Sequence, residues 1–135
     1  MDIEYRWRDT VTDPELVELT RAHGGNTEPG WWDRIRPHSL GWVSARTGQG
    51  RLVGFVNVAW DGGDHAFLLD TKTHPEHQRQ GIGTALCGHA ARGAHRAGCE
   101  WLHVDFRPEL APFYFDSCGF TSTSAGLIDL TQFRV

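Results

Sequence analysis

Three stretches rich in strand-forming residues follow one another in the middle of the sequence. They cover residues 40–46, 52–60 and 65–73, and the segments between them, 47–50 and 61–64, each hold two glycines. Short turns of this kind join antiparallel neighbours. The sequence therefore predicts an antiparallel meander, around which the rest of the chain must build a sheet.

The flanking segments predict helices and further strands. Residues 3–8 alternate apolar and polar side chains and predict a first strand. Asp13 is expected to cap a helix that starts at Pro14 and stops at Gly24-Gly25, and residues 29–37 predict a short, aromatic second helix.

A different pattern follows the meander. The small apolar stripe of a helix runs through Ile82, Leu86, Ala90, Ala94 and Ala97. Beyond it the sequence predicts a strand over 101–106, a helix over 110–118 and a last strand over 127–130. The order β-α-α-β-β-β-α-β-α-β predicts one α/β domain over residues 1–135 with a mixed central sheet.

Composition excludes several classes of protein. The net charge is −4 and no basic tract exceeds Arg6-Trp7-Arg8, which argues against a nucleic-acid binder. The three cysteines show no CxxC spacing, so neither a disulfide scaffold nor a zinc knot is expected. No stretch approaches the roughly 20 apolar residues of a membrane span. The acidic N-terminus does not resemble a signal peptide, and the cytoplasm is the expected location.

Two glycines, Gly81 and Gly83, open the long helix directly after a strand and a short loop. The first N–H groups of a helix have no internal partners and lie at its positive end, so this segment fits an anion, with Arg79 beside it. Leu86 stands where a dinucleotide fingerprint needs its third glycine, and the chain has no Gly-Lys-Ser/Thr of a P-loop. Taken alone, the glycines favour a tightly packed helix start that binds no ligand.

The surrounding residues change that interpretation. The run from His74 to Leu86 closely resembles the acetyl-CoA motif of the GNAT family of N-acetyltransferases, Gln/Arg-x-x-Gly-x-Gly/Ala, with Gln78, Gly81 and Gly83 at its fixed positions. Residues 113–120 resemble the aromatic helix and Gly-Phe pair of the same family. The element order is also that of the family, so the resemblance covers nearly the whole chain.

The resemblance implies a site for acetyl-CoA as acetyl donor, without a metal. The backbone of Thr71, Lys72 and Thr73 would pair with the pantetheine arm. The pyrophosphate would lie on the N–H groups of residues 79–84, and the Thr84 hydroxyl would add a hydrogen bond. The expected coenzyme residues in this loop are Gln78, Arg79, Gln80, Gly81, Ile82, Gly83 and Thr84.

The resemblance leaves the catalytic acid open. The family often uses a tyrosine four residues before the glycine of Gly-Phe, a position that Phe115 occupies here, whereas Tyr114 lies five residues before it. One residue turns a helix by about 100°, so the two side chains should face different ways. Either a local bulge brings Tyr114 round, or water or another residue protonates the leaving thiolate and Tyr114 is a core aromatic.

The catalytic base is open as well. Asp70, Glu76 and Asp105 are candidates near the sheet opening, and a base acting through water is a further possibility. Asp70 follows an apolar run, so burial could raise the pKa of its carboxyl. Each of the three could equally be a solvated residue.

The aromatic second helix is expected on the acceptor side. Trp31 and Trp32 could wall an apolar or cationic amine, since indole faces attract ammonium groups, although at least one should pack on the sheet. His38 is a further candidate for substrate contact. His74 and His77 have HxxH spacing without a fitting partner, so surface histidines explain them better than a metal site.

The predicted function is acetyl transfer from acetyl-CoA to a primary amine of a small molecule or peptide. The alternative is a non-catalytic acetyl-CoA-binding module of the same fold. The acceptor is not identified by the sequence, and a homodimer is a possibility that rests only on its frequency among such proteins.

Overall fold

Five strands form one sheet in the computed structural model, which describes residues 2–134. They are β1 (Glu4–Trp7), β2 (Ser39–Arg46), β3 (Leu52–Trp60), β4 (His65–Thr73) and β5 (Trp101–His103). The strands lie side by side in chain order. β1 to β4 are antiparallel neighbours, and β5 is parallel to β4. The predicted meander and mixed sheet are confirmed.

Helices cover both faces of the sheet. On one face, α1 (Asp13–His23) and α2 (Trp31–Ile35) pack a buried cluster that includes Leu16, Trp32 and Phe55. On the other face, α3 (Ile82–Arg96) buries four of the five residues of its predicted stripe, all but Ala97. Within residues 2–134 no helix combines the length and apolar character that crossing a membrane requires.

The start of α1 differs from the prediction. Thr12, not Asp13, caps the helix, and the Thr12 N–H donates a hydrogen bond to the Glu15 carboxylate at 3.0 Å, which completes a capping box. The Asp13 carboxylate instead accepts hydrogen bonds from the N–H groups of Gly30 at 2.6 Å and Trp32 at 3.0 Å. Asp13 thereby fixes the start of α2 against α1.

The contact between α3 and the sheet depends on glycines. A Cβ added at Gly93 would lie 2.5 Å from Cη2 of Trp7, and the same indole fills the space above Gly41 of β2. Farther along the helix, a Cβ on Gly54 of β3 would lie 2.9 Å from Cγ2 of Ile82. Side chains at these glycines would push α3 away from the strands.

The C-terminal part of the chain also differs from the prediction. The expected helix over 110–118 is a 3₁₀ turn (Pro108–Leu110) followed by a π-helical segment (Pro112–Ser117). The predicted strand over 127–130 is wrong for this structure. Residues 121–134 are all exposed and form no ladder, and only a 3₁₀ turn (Leu130–Gln132) interrupts them. A strand needs a hydrogen-bonded partner, and this segment pairs with none of the five strands.

Gly93→Ala is expected to destabilise the protein, whereas Gly88→Ala on the same helix is expected to stabilise it. At Gly88 the nearest atom to an added Cβ is the Arg92 Nη1 at 3.7 Å, an ordinary contact. Alanine should gain about 0.5–1 kcal/mol there from helix propensity. At Gly93 overpacking against Trp7 should outweigh that gain and cost about 1–3 kcal/mol. Urea unfolding of both variants measures the difference, and equal stability would contradict the proposed packing.

Candidate functional site

An irregularity in β4 lies at the centre of the candidate site. Leu69 pairs with Asn57 and Lys72 pairs with Phe55, so two residues of β4, Asp70 and Thr71, lie opposite one residue of β3. Asp70 adopts a left-handed conformation with φ 61°. Such a bulge redirects the side chains that follow it.

The sheet also opens at this point. The last pair between β4 and β5 joins Phe67 to His103, so the remaining edge of β4 has no strand beside it. Two clefts meet along this free edge, and His23, Thr71 and Lys72 line both of them. The bulge therefore lies at the junction of two binding spaces.

The first cleft, of about 430 Å³, lies between the end of β4, the start of α3 and the π-helical segment. Most of the predicted coenzyme residues line it: Thr71, Lys72, Thr73, Gln78, Arg79, Gly81, Ile82, Gly83 and Thr84. Gln80 is exposed and is not among them. The structure thus brings the strand and the glycine loop of the predicted coenzyme site together.

The glycine loop presents free N–H groups to this cleft. Arg79 and Gly81 have positive φ angles of 65° and 78°, and the first main-chain bond of α3 runs from the Ala85 N–H to the Gly81 carbonyl at 3.0 Å. Within residues 2–134 the N–H groups of residues 81–84 donate no main-chain hydrogen bond. These donors at the positive end of a 15-residue helix suit an anion.

The two glycines of this loop have different roles. Gly81 needs its positive φ, and an added Cβ there would meet nothing within 4 Å. At Gly83 a Cβ would lie 3.0 Å from Cζ of Phe113, so this glycine lets the π-helical segment pack against α3. An anion that approaches this backbone would therefore find open space at Gly81, whereas Phe113 takes up the space at Gly83.

The π-helical segment places Tyr114 on the cleft. The Cys118 N–H bonds to the Phe113 carbonyl five residues earlier, at 3.0 Å, which adds one residue to the turn. Tyr114 is 7% exposed, lines the first cleft and stacks on Phe106 with ring centroids 4.7 Å apart. Phe115 packs edge-on against the same ring. The π-helical segment is a local bulge, and Tyr114 also belongs to the buried core, so both interpretations of Tyr114 stay predictions.

Burial raises the pKa of the Tyr114 hydroxyl, and a hydrogen bond with the Thr71 side chain acts in the opposite direction. The phenol is therefore protonated at neutral pH.

The second cleft, of about 840 Å³, lies between the end of α1, the following loop and β4. Trp31, Asp70 and Arg34 are among its lining residues. Of the three predicted bases only Asp70 lies in either cleft; Glu76 and Asp105 are exposed elsewhere. Although part of Asp70 faces solvent, burial raises the pKa of its carboxyl, while Lys72 and Asn57 oppose the shift.

Lys72 joins the two clefts. Its main chain belongs to the free edge of β4, and its side chain points towards α1, where Nζ donates to Thr20 Oγ1 at 2.9 Å. The same ammonium lies 5.3 Å from the centroid of the Trp31 indole. Burial lowers the pKa of the Lys72 amine, and Asp70 partly offsets that shift. One face of Trp31 therefore already holds a cation of the protein itself.

Two predicted acceptor residues lie outside the clefts. Trp32 is 1% exposed and packs edge-on against Trp42 and Phe55 in the core, and His38 is exposed beside α2. Neither side chain lines the second cleft.

Sequence reasoning missed His23, His77, Leu110 and Phe113, which all line the first cleft. Nδ1 of His23 lies 3.1 Å from the carbonyl oxygen of Thr73, so this nitrogen carries the proton and His23 contacts the free edge of β4. The only signal in the sequence is a basic residue just before the helix-ending Gly24. A basic residue at the end of a helix interacts favourably with the helix dipole. It does not reveal a contact with a residue 50 positions away in the sequence.

His74 and His77 are each only 8% exposed, so the expectation of surface histidines is wrong. The pair nevertheless gives no sign of a metal site. His74 Nε2 lies 3.1 Å from the guanidinium of Arg51, which is an unsuitable neighbour for a cation. No cluster of three His, Cys, Asp or Glu side chains with metal-binding geometry occurs in the part of the chain that the structure describes. The expectation that the protein uses no metal stays a prediction.

Comparisons with known proteins agree with this geometry. Residues 5–120 match the model of the acetyltransferase (GNAT) family. No curated protein sequence matches the chain at a significant level.

Solved structures show the same fold at low identity. A GNAT-family acetyltransferase from Streptococcus pneumoniae TIGR4 is 24% identical with a TM-score of 0.77, over 96% of this chain and 99% of that one. The ribosomal-protein-S18-alanine N-acetyltransferase from Escherichia coli is 19% identical with a TM-score of 0.76, over 91% and 80% of the two chains. AAC(6')-Iy, solved in complex with the bisubstrate analogue CoA-S-monomethyl-acetylneamine, is 17% identical with a TM-score of 0.75, over 96% and 97%.

Proposed function

This chain belongs to the GNAT family of acetyltransferases, and we propose that it transfers an acetyl group from acetyl-CoA to a primary amine of a small molecule or peptide by direct attack. The observation that carries the proposal is the meeting of two clefts at the bulge in β4. One cleft offers free N–H groups for phosphates, and the other offers a carboxylate beside an aromatic wall. Donor and acceptor would then approach each other along Thr71.

The first cleft would hold the donor. The pyrophosphate would accept hydrogen bonds from the N–H groups of residues 79–84, with the Arg79 side chain beside them. The pantetheine arm would lie along the free edge formed by Thr71, Lys72 and Thr73. AAC(6')-Iy, which shares the fold, was solved with an analogue that contains CoA. Acetyl-CoA, when bound, supplies an activated acetyl group; the residues of this chain position it and manage protons.

Gly81→Asp is expected to raise the Kd for acetyl-CoA at least about tenfold, a change of roughly 1.4 kcal/mol. The new residue must adopt φ 78°, which side chains disfavour, and its carboxylate repels phosphate. Gly48→Asp adds the same charge at an open turn without a positive φ and serves as the control. Isothermal titration calorimetry measures both variants, and unchanged affinity in Gly81→Asp would exclude this loop as the phosphate site.

Tyr114 is the proposed general acid. Burial raises the pKa of its hydroxyl, which is therefore protonated at neutral pH, and Tyr114 lines the donor cleft together with Thr71. A proton donated there would neutralise the thiolate that leaves as the amide forms. This position of Tyr114 supports catalysis over the alternative of a binding module, because a phenol lines the cleft even though Phe115 occupies the position where the family often has a tyrosine.

Tyr114→Phe is expected to lower kcat on the order of 10²-fold while the Kd for acetyl-CoA stays within a factor of about two, because general-acid catalysis contributes about 10²–10⁴. The chain has two tyrosines, and Tyr5→Phe is a matched control, since Tyr5 stacks on His89 away from both clefts. Release of free CoA thiol with a panel of amines provides the assay. Full kcat in Tyr114→Phe would remove the acid role, and no thiol release from the wild type with any amine would favour the binding module.

Asp70 is the proposed base on the acceptor side. An amine attacks only in its neutral form, so a group in the second cleft must accept a proton from the ammonium form, directly or through water. Asp70 lines that cleft, and its raised pKa makes it a better proton acceptor than a solvated aspartate.

Asp70→Asn is expected to lower kcat/KM and to remove the Asp70 limb from the pH profile. A base must be ionised, so its contribution rises with pH through a pKa above the ordinary value of about 3.9. Asp64→Asn, at an exposed turn outside both clefts, is the control. A pH–rate profile of Asp70→Asn that keeps the shape and height of the wild-type profile would eliminate this role.

Trp31 is the proposed acceptor contact among the three residues predicted for that role. Because Lys72 already lies over one face of its ring, the acceptor would meet the rest of the indole. The same ammonium would repel a second positive charge on the acceptor and attract an anionic group.

Because Trp31 would contact the acceptor, Trp31→Leu should raise KM for the acceptor more than KM for acetyl-CoA. A larger rise in KM for acetyl-CoA would count against this contact.

A further inference from the structure

Lys72 is a buried cation that has no ion-pair partner in residues 2–134. The residue is 9% exposed. Its ammonium donates to Thr20 Oγ1 at 2.9 Å and lies 5.3 Å from the centroid of the Trp31 ring, and both of these partners are neutral. Because buried charges in proteins are ordinarily paired, this cation is suited to a negative group from outside the chain.

Asp70 does not provide the missing partner. It attracts the Lys72 ammonium without forming an ion pair, and burial still lowers the pKa of the Lys72 amine. The attraction therefore does not replace the water that the ammonium has lost. On the proposed function, Asp70 also becomes neutral when it accepts a proton from the amine, and it then no longer offsets the charge of Lys72.

Other groups in the second cleft suit an anion as well. Arg21 and Arg34 line this cleft with Lys72, and neither guanidinium forms an ion pair within the described part of the chain. The Thr27 hydroxyl, which belongs to the same lining, is buried and has no hydrogen-bond partner among residues 2–134. The cleft thus offers positive charge and a free hydroxyl, although the net charge of the chain is −4.

We propose that the acceptor carries an anionic oxygen group, a carboxylate or a phosphate, close to its amine, and that Lys72 binds this group with the help of Arg34. The inference rests on the proposed function and names the class of acceptor within it. Asp70 would face the amine, and the anionic group would take no part in the bonds that form or break. Acceptors with several ammonium groups, such as polyamines, would be disfavoured by Lys72.

Matched acceptors that differ in the anionic group test the proposal. Free glycine is compared with glycinamide, and ethanolamine phosphate with ethanolamine, by the release of free CoA thiol. In at least one pair, kcat/KM should be at least about tenfold higher for the anionic member, because charge pairs in desolvated sites contribute that much or more. The two pairs distinguish a carboxylate from a phosphate. Turnover with no preference for the anionic member of either pair would overturn the proposal and leave acetyl transfer intact.

Two substitutions locate the anion site. Lys72→Met keeps the length of the side chain without its charge, and Arg34→Glu reverses a charge on an exposed residue of the same cleft. Each should lower the preference for the anionic acceptor about tenfold. Arg36→Glu, which makes the same change at an exposed residue outside both clefts, is the control and should keep the preference.

Circular dichroism verifies that each variant folds. Should Lys72→Met fail to fold, Arg34→Glu decides the outcome, because its side chain is exposed. A preference that survives in every folded variant would overturn the proposed anion site.

A measurement without turnover separates this inference from the proposed function. Lys72 is the single lysine of the chain, so isotopically labelled lysine gives one ε-carbon signal in the NMR spectrum. In the presence of CoA, which carries no acetyl group, this signal should shift with ethanolamine phosphate or free glycine more than with their neutral counterparts. A shift without thiol release from any acceptor would support the anion site and count against acetyl transfer. No shift with either anionic amine would overturn the anion site.

Discussion

The close approach of α3 to the sheet is the constraint on which the candidate site depends. The Trp7 indole fills the space above Gly41 and Gly93, and Gly54 leaves room for Ile82. Because these glycines carry no side chains, the indole fits between Gly93 of α3 and Gly41 of the sheet, and Ile82 packs directly on Gly54. The helix contacts β1 to β4, and its first turn comes beside the end of β4. Free N–H groups and a free strand edge thus share one cleft, although the two features arise from different elements.

The bulge in β4 lies between the cleft proposed for the donor and the cleft proposed for the acceptor. Asp70 lines the cleft proposed for the acceptor, Tyr114 lines the cleft proposed for the donor, and Thr71 lines both. The proposed acid and the proposed base therefore lie in different clefts, which meet at Thr71. Their pKa values are both raised by burial, which leaves a phenol protonated and makes a carboxylate more basic.

The sequence predicts those features that local patterns encode. The meander follows from alternation and glycine turns, and the buried stripe of α3 follows from helical spacing.

The position of Tyr114 could not be predicted in this way, because helical geometry assumes 3.6 residues per turn and the π-helical segment departs from it. His23 and Lys72 also escaped prediction as links between the clefts, since their contacts with Thr73, Thr20 and Trp31 join elements distant in sequence. The strand over 127–130 failed for another reason: strand-forming residues need an edge, which a pattern in one segment does not supply.

The position of Lys72 affects whether the protein can acetylate its own lysine. It is the single lysine of the chain, and it is 9% exposed, with its amine bound to Thr20 and covered by the Trp31 indole. A protein that binds acetyl-CoA can have its own surface amines acetylated. Here every other long cationic side chain is an arginine. The guanidinium of arginine is a poor nucleophile because it stays protonated. On the proposed function, the chain therefore has no exposed lysine that its own acetyl donor could acetylate.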